Sequence, residues 1–130
     1  MQPIHSAEAP AALGPYSQAI RVDRLVFLSG QIGLDPEHQT LVTGGVEAEA
    51  RQVFRNLAAV AAAAGASLQQ TVKLTLYLTD LGAFPRVNAI MADVFSEPFP
   101  ARATVGVAAL PRGAAIEADA ILMLDGDEGG

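Results

Sequence analysis

The stretch Thr71-Val72-Lys73-Leu74-Thr75-Leu76-Tyr77-Leu78-Thr79 decides the fold. Apolar and polar residues alternate through all nine positions, the period of a strand with one buried face. Strict alternation sends Val72, Leu74, Leu76 and Leu78 inward and Thr71, Lys73, Thr75, Tyr77 and Thr79 outward. On either side the period changes to that of a helix. Upstream, Val46, Ala50, Val53, Leu57, Val60 and Ala64 are spaced four, three, four, three and four apart, one apolar stripe over five turns. Glu47 and Glu49 lie in its first turn, where the helix dipole favours anions, and Gly65 fits the position just past its end. The helix is predicted at about 46–64. Downstream, Asp80-Leu81-Gly82 is a connector. A second helix is predicted from about Ala83 to Phe95, with Pro85 in its first turn, where the missing N–H costs nothing. Phe84, Val87, Met91, Val94 and Phe95 form its apolar stripe.

Beyond this αβα centre, the chain reads as strands at both ends. Residues 1–15 contain Pro3, Pro10 and Pro15 and are predicted as an irregular arm. Ile20 and Val22, the turn Asp23-Arg24, then Leu25-Val26-Phe27-Leu28 read as a hairpin. Consecutive apolar positions in its second strand predict that both faces of that strand are covered. That strand ends at Ser29-Gly30-Gln31, and a loop is predicted from Asp35-Pro36 to about Thr43. After the second helix, Pro98-Phe99-Pro100 is non-helical, and Ala103 to Ala108 is a short strand. Leu110-Pro111-Arg112-Gly113 is a turn signal, and Ala115 to Leu124 is the last strand. The tail, 125–130, is acidic and is expected to fray. The order is β-β-α-β-α-β-β, an α+β chain with a mixed sheet and both helices on one face.

The chain has 130 residues, which is one domain. Of these, 51% are hydrophobic and 17% charged, and alanine alone occurs 25 times. Mean hydropathy is +0.31. No apolar run approaches the ~20 residues of a membrane span, and no secretory signal pattern opens the chain, so a cytoplasmic location is expected. Excess apolar surface without a membrane, and a sheet face without helices over it, predict a homo-oligomer with ligand clefts between subunits. There is no cysteine, and the two histidines, His5 and His38, have no ligand-type spacing. Disulfides, thiolate nucleophiles and a structural zinc site are thereby excluded or made improbable. A net charge of −6 lacks the footprint of a nucleic-acid binder. No phosphate-binding glycine loop, metalloprotease motif or nucleophile elbow is present.

Several polar residues in apolar surroundings have two readings each. Arg102, at the mouth of a strand, is either a surface arginine, paired with Glu97 for instance, or a bidentate clamp for a carboxylate. Glu117 and Asp119 share one face of the last strand. Asp119 reads as solvated, whereas Glu117 is either solvated too or positions a water and relays its proton. Tyr16 either covers a core edge or lines a pocket. Gly30, after Ser29, marks a bulge or lets a ligand approach the backbone. Asn88, and likewise Asn56, either bonds a loop carbonyl or meets a ligand. Thr104 is structural in its side chain, with a backbone N–H near Arg102.

Taken together, the segments Ala9-Pro-Ala-Ala-Leu-Gly-Pro-Tyr-Ser-Gln18, Leu28-Ser-Gly-Gln-Ile32, Val87-Asn88, Pro100-Ala-Arg-Ala-Thr-Val-Gly-Val-Ala-Ala-Leu-Pro111 and Ile116-Glu-Ala-Asp-Ala120 resemble the RidA/YjgF family of reactive-intermediate deaminases. The resemblance covers about residues 7–124. It implies a chorismate-mutase-like fold and a homotrimer with sites between subunits. It also implies hydrolysis of 2-imino acids, the tautomers of enamines such as 2-aminoacrylate, to 2-keto acids and ammonia, with no cofactor and no metal. In the arginine-containing type, Arg102 matches the residue that binds the substrate carboxylate and Glu117 the one that orients the attacking water. Tyr16, Ser29, Gly30 and Asn88 match pocket positions, and Thr104 stands where some members carry cysteine. Gly33 replaces a frequent proline, Asp119 replaces a common glutamate, and the acidic tail has no counterpart. A deaminase dedicated to one pathway, such as one acting on 2-aminomuconate, stays open, as does a non-catalytic binder of small carboxylates. RNA cleavage, ascribed to some relatives, is disfavoured by the charge.

Overall fold

The structure is a computed structural model that describes residues 1–125, so the tail expected to fray lies outside the described residues from position 126 onward. The predicted centre of the fold is present. Strand β1 (Gln2–Ile4) is followed by β2 (Ala19–Val22), β3 (Leu25–Ile32) and the two-residue strands β4 (Leu34–Asp35) and β5 (Thr40–Leu41). Helix α1 (Gly45–Ala63), β6 (Thr71–Leu78), α2 (Phe84–Val94), β7 (Ala101–Gly106) and β8 (Ile116–Met123) complete the chain. The main sheet runs β1-β2-β3-β8-β6-β7. Its pairs are antiparallel except β6 with β7, which are parallel and joined through α2. Such a crossover needs a helix-length connection, which Phe84–Val94 supplies.

Helix α1 packs on β3 and β8, and α2 packs on α1, so both helices cover one face of the sheet. Beneath them lie Val26 and Leu28 of β3, Leu74, Leu76 and Leu78 of β6, and Ile116, Ala118, Ala120 and Leu122 of β8. The predicted stripes enter this core: Ala50, Val53, Leu57 and Val60 from α1, and Val87 and Met91 from α2. The opposite face carries Ile20, Phe27, Ile121, Ala103, Val105, Thr75 and Tyr77, by the register of the strands. Among the described residues nothing covers it, and Phe27 is 41% exposed. The apolar run in β3 therefore has one covered face within the chain, not two.

Four further expectations are corrected. The arm is not irregular throughout, because Gln2–Ile4 pairs with Ala19–Arg21 as an edge strand. The predicted loop after Asp35 holds the short β4–β5 hairpin. The strand read at 103–108 begins two residues earlier, at Ala101. In β6 the alternation slips at its start: Thr71 pairs with Leu122 and Lys73 with Ile121, so Val72 is the extra residue of a bulge. Thr71 is consequently buried and Val72 exposed, the reverse of strict alternation. No helix of the described residues is long and apolar enough to cross a membrane.

Two buried polar side chains of α1 lock the layers together. Asn56 donates through Nδ2 to the carbonyls of Ile32 (3.2 Å) and Leu34 (3.0 Å), and its Oδ1 accepts from Gln52. This is the structural reading of Asn56, since the bonds fix the path of the chain between β3 and β4. Glu49 is buried and accepts from the Ala115 N–H at 2.9 Å, so it serves as more than a dipole-facing anion. Gly33 makes this closeness possible: a Cβ there would stand 2.9 Å from the Glu49 Cα.

Candidate functional site

The predicted site residues fall into two groups on opposite faces of the sheet. Arg102 is in register with Leu74, hence on the helix face, at the edge strand β7. Its Nη1 donates to Asn88 Oδ1 at 2.6 Å and approaches Met91 Sδ at 3.4 Å. Its guanidinium carbon lies 4.8 Å from the centre of the Phe84 ring, a cation–π arrangement. Asn88 thus bonds neither a loop carbonyl nor a cap; it orients Arg102. The only ion pairs among the described residues are His38 with Asp35 and Arg86 with Glu47, so Arg102 is not paired with Glu97 or any other carboxylate. With Asn88, Met91, Ala92, Phe99 and Pro100 it lines an open cavity of about 450 Å³. Thr104, two residues along the same face, has a buried Oγ1 with no hydrogen-bond partner.

Glu117 is in register with Tyr77 and so points to the helix-free face. Opposite it, β3 is bulged: Leu28 pairs with Ala120 and Gln31 with Ala118, leaving Ser29-Gly30 to span one residue of β8. The Ser29 hydroxyl donates to the Ser17 carbonyl and its N–H to the Gln18 carbonyl, which secures the bulge. A Cβ at Gly30 would come within 2.6 Å of Glu117 Oε2. Gly30 therefore marks a bulge, and its missing side chain makes room for the Glu117 carboxylate. Tyr16, more than half exposed, joins Glu117, Gly30, Pro10, Leu34 and Arg112 around a pocket of about 260 Å³. Burial holds the Glu117 carboxyl above its ordinary pKa, and the nearby Asp119 charge adds to this. Asp119 is not merely solvated, since it accepts from the Tyr77 hydroxyl at 2.9 Å. That bond, with burial, raises the Tyr77 phenol above its usual value.

Within one chain, then, the structure brings Arg102 together with Asn88, and Glu117 together with Gly30 and Tyr16, but not the first group with the second. Sequence reasoning passed over two contributors. Gln18 is buried and braces the N-terminal arm beside the pocket, donating to the carbonyls of Ser6 and Pro10 and accepting from the Ser6 N–H. Its only signal was a polar residue ahead of an apolar strand. Arg112 stands in the sequence as part of a turn signal alone. Among the described residues no cluster of three metal-ligating side chains is present.

Comparison with known proteins places this geometry in context. The family described as Endoribonuclease L-PSP matches residues 6–124. The protein DfrA of Myxococcus xanthus is 53% identical over 120 residues, 91% of this chain and 92% of that one. The human 2-iminobutanoate/2-iminopropanoate deaminase is 48% identical over 118 residues, 91% of this chain and 86% of the human one. The crystal structure of RidA from the Antarctic bacterium Psychrobacter sp. PAMC 21119 superposes with a TM-score of 0.92 at 48% identity, covering 95% of this chain and all of that one.

Proposed function

The chain belongs to the RidA/YjgF family, and from that premise we propose that it is an imine deaminase, hydrolysing 2-imino acids such as the tautomer of 2-aminoacrylate to 2-keto acids and ammonia. The observation that carries this reading is the state of Arg102. An amide oxygen, a thioether and a ring face hold its guanidinium, and none of them neutralises it. A fixed guanidinium without a carboxylate partner among the described residues suits a planar carboxylate brought by a ligand, through two parallel N–H···O bonds.

The chemistry asks little of the protein. A protonated imine carbon is already electrophilic, so the site must orient it and deliver water. Arg102 fixes the carboxylate and thereby the plane of the C=N bond. Glu117 accepts a proton from water as the water oxygen bonds to the imine carbon, giving a carbinolamine. The same carboxyl group returns the proton to nitrogen. The C–N bond then breaks as the hydroxyl proton passes to the Glu117 carboxylate and the C=O bond forms; ammonia leaves and takes that proton from Glu117 as ammonium. A carboxyl group with a raised proton affinity suits a role in which it takes a proton and gives it back. Arg102 and Glu117 occupy opposite faces of one chain, so the working site joins the Arg102 side of one copy to the Glu117 side of another, within a homotrimer. The uncovered apolar sheet face supports that assembly. Cleavage of RNA, suggested by the family description, is poorly served by a net charge of −6 and by Glu117 and Asp119 side by side.

The test generates imines with an amino-acid oxidase in the presence of semicarbazide. The wild type is expected to suppress semicarbazone formation, and Arg102→Ala to lose that effect. Undiminished hydrolysis by Arg102→Ala would falsify the reading.

A further inference from the structure

The turn that leads into β8 holds an arginine in an unusual state. Arg112 has φ 59 and ψ 19, the left-handed region that a residue with a side chain seldom occupies. Its Nη1 donates to the carbonyl of Gln39 at 2.7 Å, and Gln39 is itself left-handed, with φ 58. Two unfavourable backbone conformations are therefore tied to each other beside a pocket, the setting in which strain points to function. Arg112 lines the same cavity as Glu117, Tyr16 and Gly30. It has no carboxylate within 4.0 Å among the described residues, in a chain with only 8 basic residues. A guanidinium has five N–H donors, and Gln39 takes one. The pocket, of about 260 Å³, thus brings a proton acceptor and a cation with no carboxylate partner among the described residues around a space that fits a small ligand.

We propose that Arg112 is a specificity-determining residue that receives a carboxylate on the side chain of the substrate, so that the Glu117 pocket accepts imines of dicarboxylic amino acids. The inference rests on the deaminase reading above. In it, Arg102 of one copy holds the carboxylate next to the imine carbon, and Arg112 of another holds the distal one. The imine carbon lies between them, beside Glu117.

The experiment compares wild type, Arg112→Asn and Arg112→Lys. Asparagine tolerates the left-handed backbone, so the turn is kept while the cation is removed. Binding of 2-oxoglutarate and of 2-oxobutanoate, the keto acids corresponding to a dicarboxylic and an aliphatic imine, is measured by calorimetry. Hydrolysis of the two parent imines is measured alongside. Arg112→Asn is expected to weaken 2-oxoglutarate binding about tenfold or more, the loss of one charge-assisted contact, with 2-oxobutanoate unaffected. Arg112→Lys is expected to retain part of the affinity. Equal loss for both ligands, or no loss for either, overturns the proposal. Failure of the wild type to hydrolyse either imine would sink the deaminase reading instead, and the binding comparison would still decide the role of Arg112.

Discussion

Glu117 owes its character to three neighbours and the register that assembles them. Gly30 leaves space for its carboxylate, Asp119 stands two residues on along the same strand face, and Tyr77 faces it from β6 while holding Asp119. Tyr16 and Arg112 are the other titratable groups around its pocket. Its carboxyl is raised first by burial and then by Asp119, so it stays protonated to a higher pH than an ordinary glutamate. A group that accepts a proton from water must be ionised. Imine hydrolysis is therefore expected to fall as pH drops through a value higher than that of an ordinary glutamate. Asp119→Asn removes the second cause and leaves the first, so the acid limb of the kcat/KM profile shifts to lower pH without reaching that of a free glutamate. An unshifted limb would show that the limb belongs to another group. Stability runs the opposite way. A raised folded pKa means that stability is lost as pH rises from the unfolded value through the folded one, and Glu117→Gln removes that loss. Glu117 and Asp119 were legible as residues on one strand face. The fit of Glu117 over Gly30 was not, because it depends on a bulge in a strand distant in sequence.

At the scale of elements, periodicity located both helices and the three main strands, since each presents a continuous apolar face to one core. It failed where a side chain or a bulge overrides the period. Val72 illustrates this: an apolar residue in perfect alternation is exposed because one extra residue enters β6 ahead of Lys73. The edge strand Gln2–Ile4 was hidden for a different reason, because Pro3 argues against a strand except at an edge, where its missing N–H needs no partner. Asn56 supplies a test at this scale. It is 1% exposed, and two of its hydrogen bonds, to Ile32 and Leu34, hold the β3–β4 corner against α1. Asn56→Ala leaves the buried Ile32 carbonyl and the part-buried Leu34 carbonyl without that donor and is expected to cost about 1–3 kcal/mol in urea unfolding. An unchanged midpoint would mean that water replaces the amide at no cost. Because this corner forms one wall of the Glu117 pocket through Leu34, some loss of activity is expected to accompany the loss of stability.

At the scale of the molecule, the division of the candidate site is the main fact. Arg102 shares a face with Leu74 and Glu117 with Tyr77, and a sheet lies between them. Sequence motifs gave both residues without showing that they part company, since spacing along the chain carries no information about which face of a six-stranded sheet each reaches. The uncovered face, with Phe27, Val105 and Met123 exposed, offers the apolar area that a second copy would bury. A site shared between copies makes a prediction that a site within one chain does not. Arg102→Ala and Glu117→Gln are each expected to be inactive alone. When the two are unfolded together and refolded as mixed oligomers, some interfaces are expected to pair an intact Arg102 from one copy with an intact Glu117 from its neighbour. Random mixing in equal amounts gives about a quarter of the sites both residues, because each interface needs one particular parent on each side. Activity is thus expected to return to about a quarter of the wild-type value, and only after subunits exchange. No recovery after verified exchange would place Arg102 and Glu117 in one chain's site, or remove one of them from the chemistry. Recovery before exchange would show that neither variant was inactive in the first place.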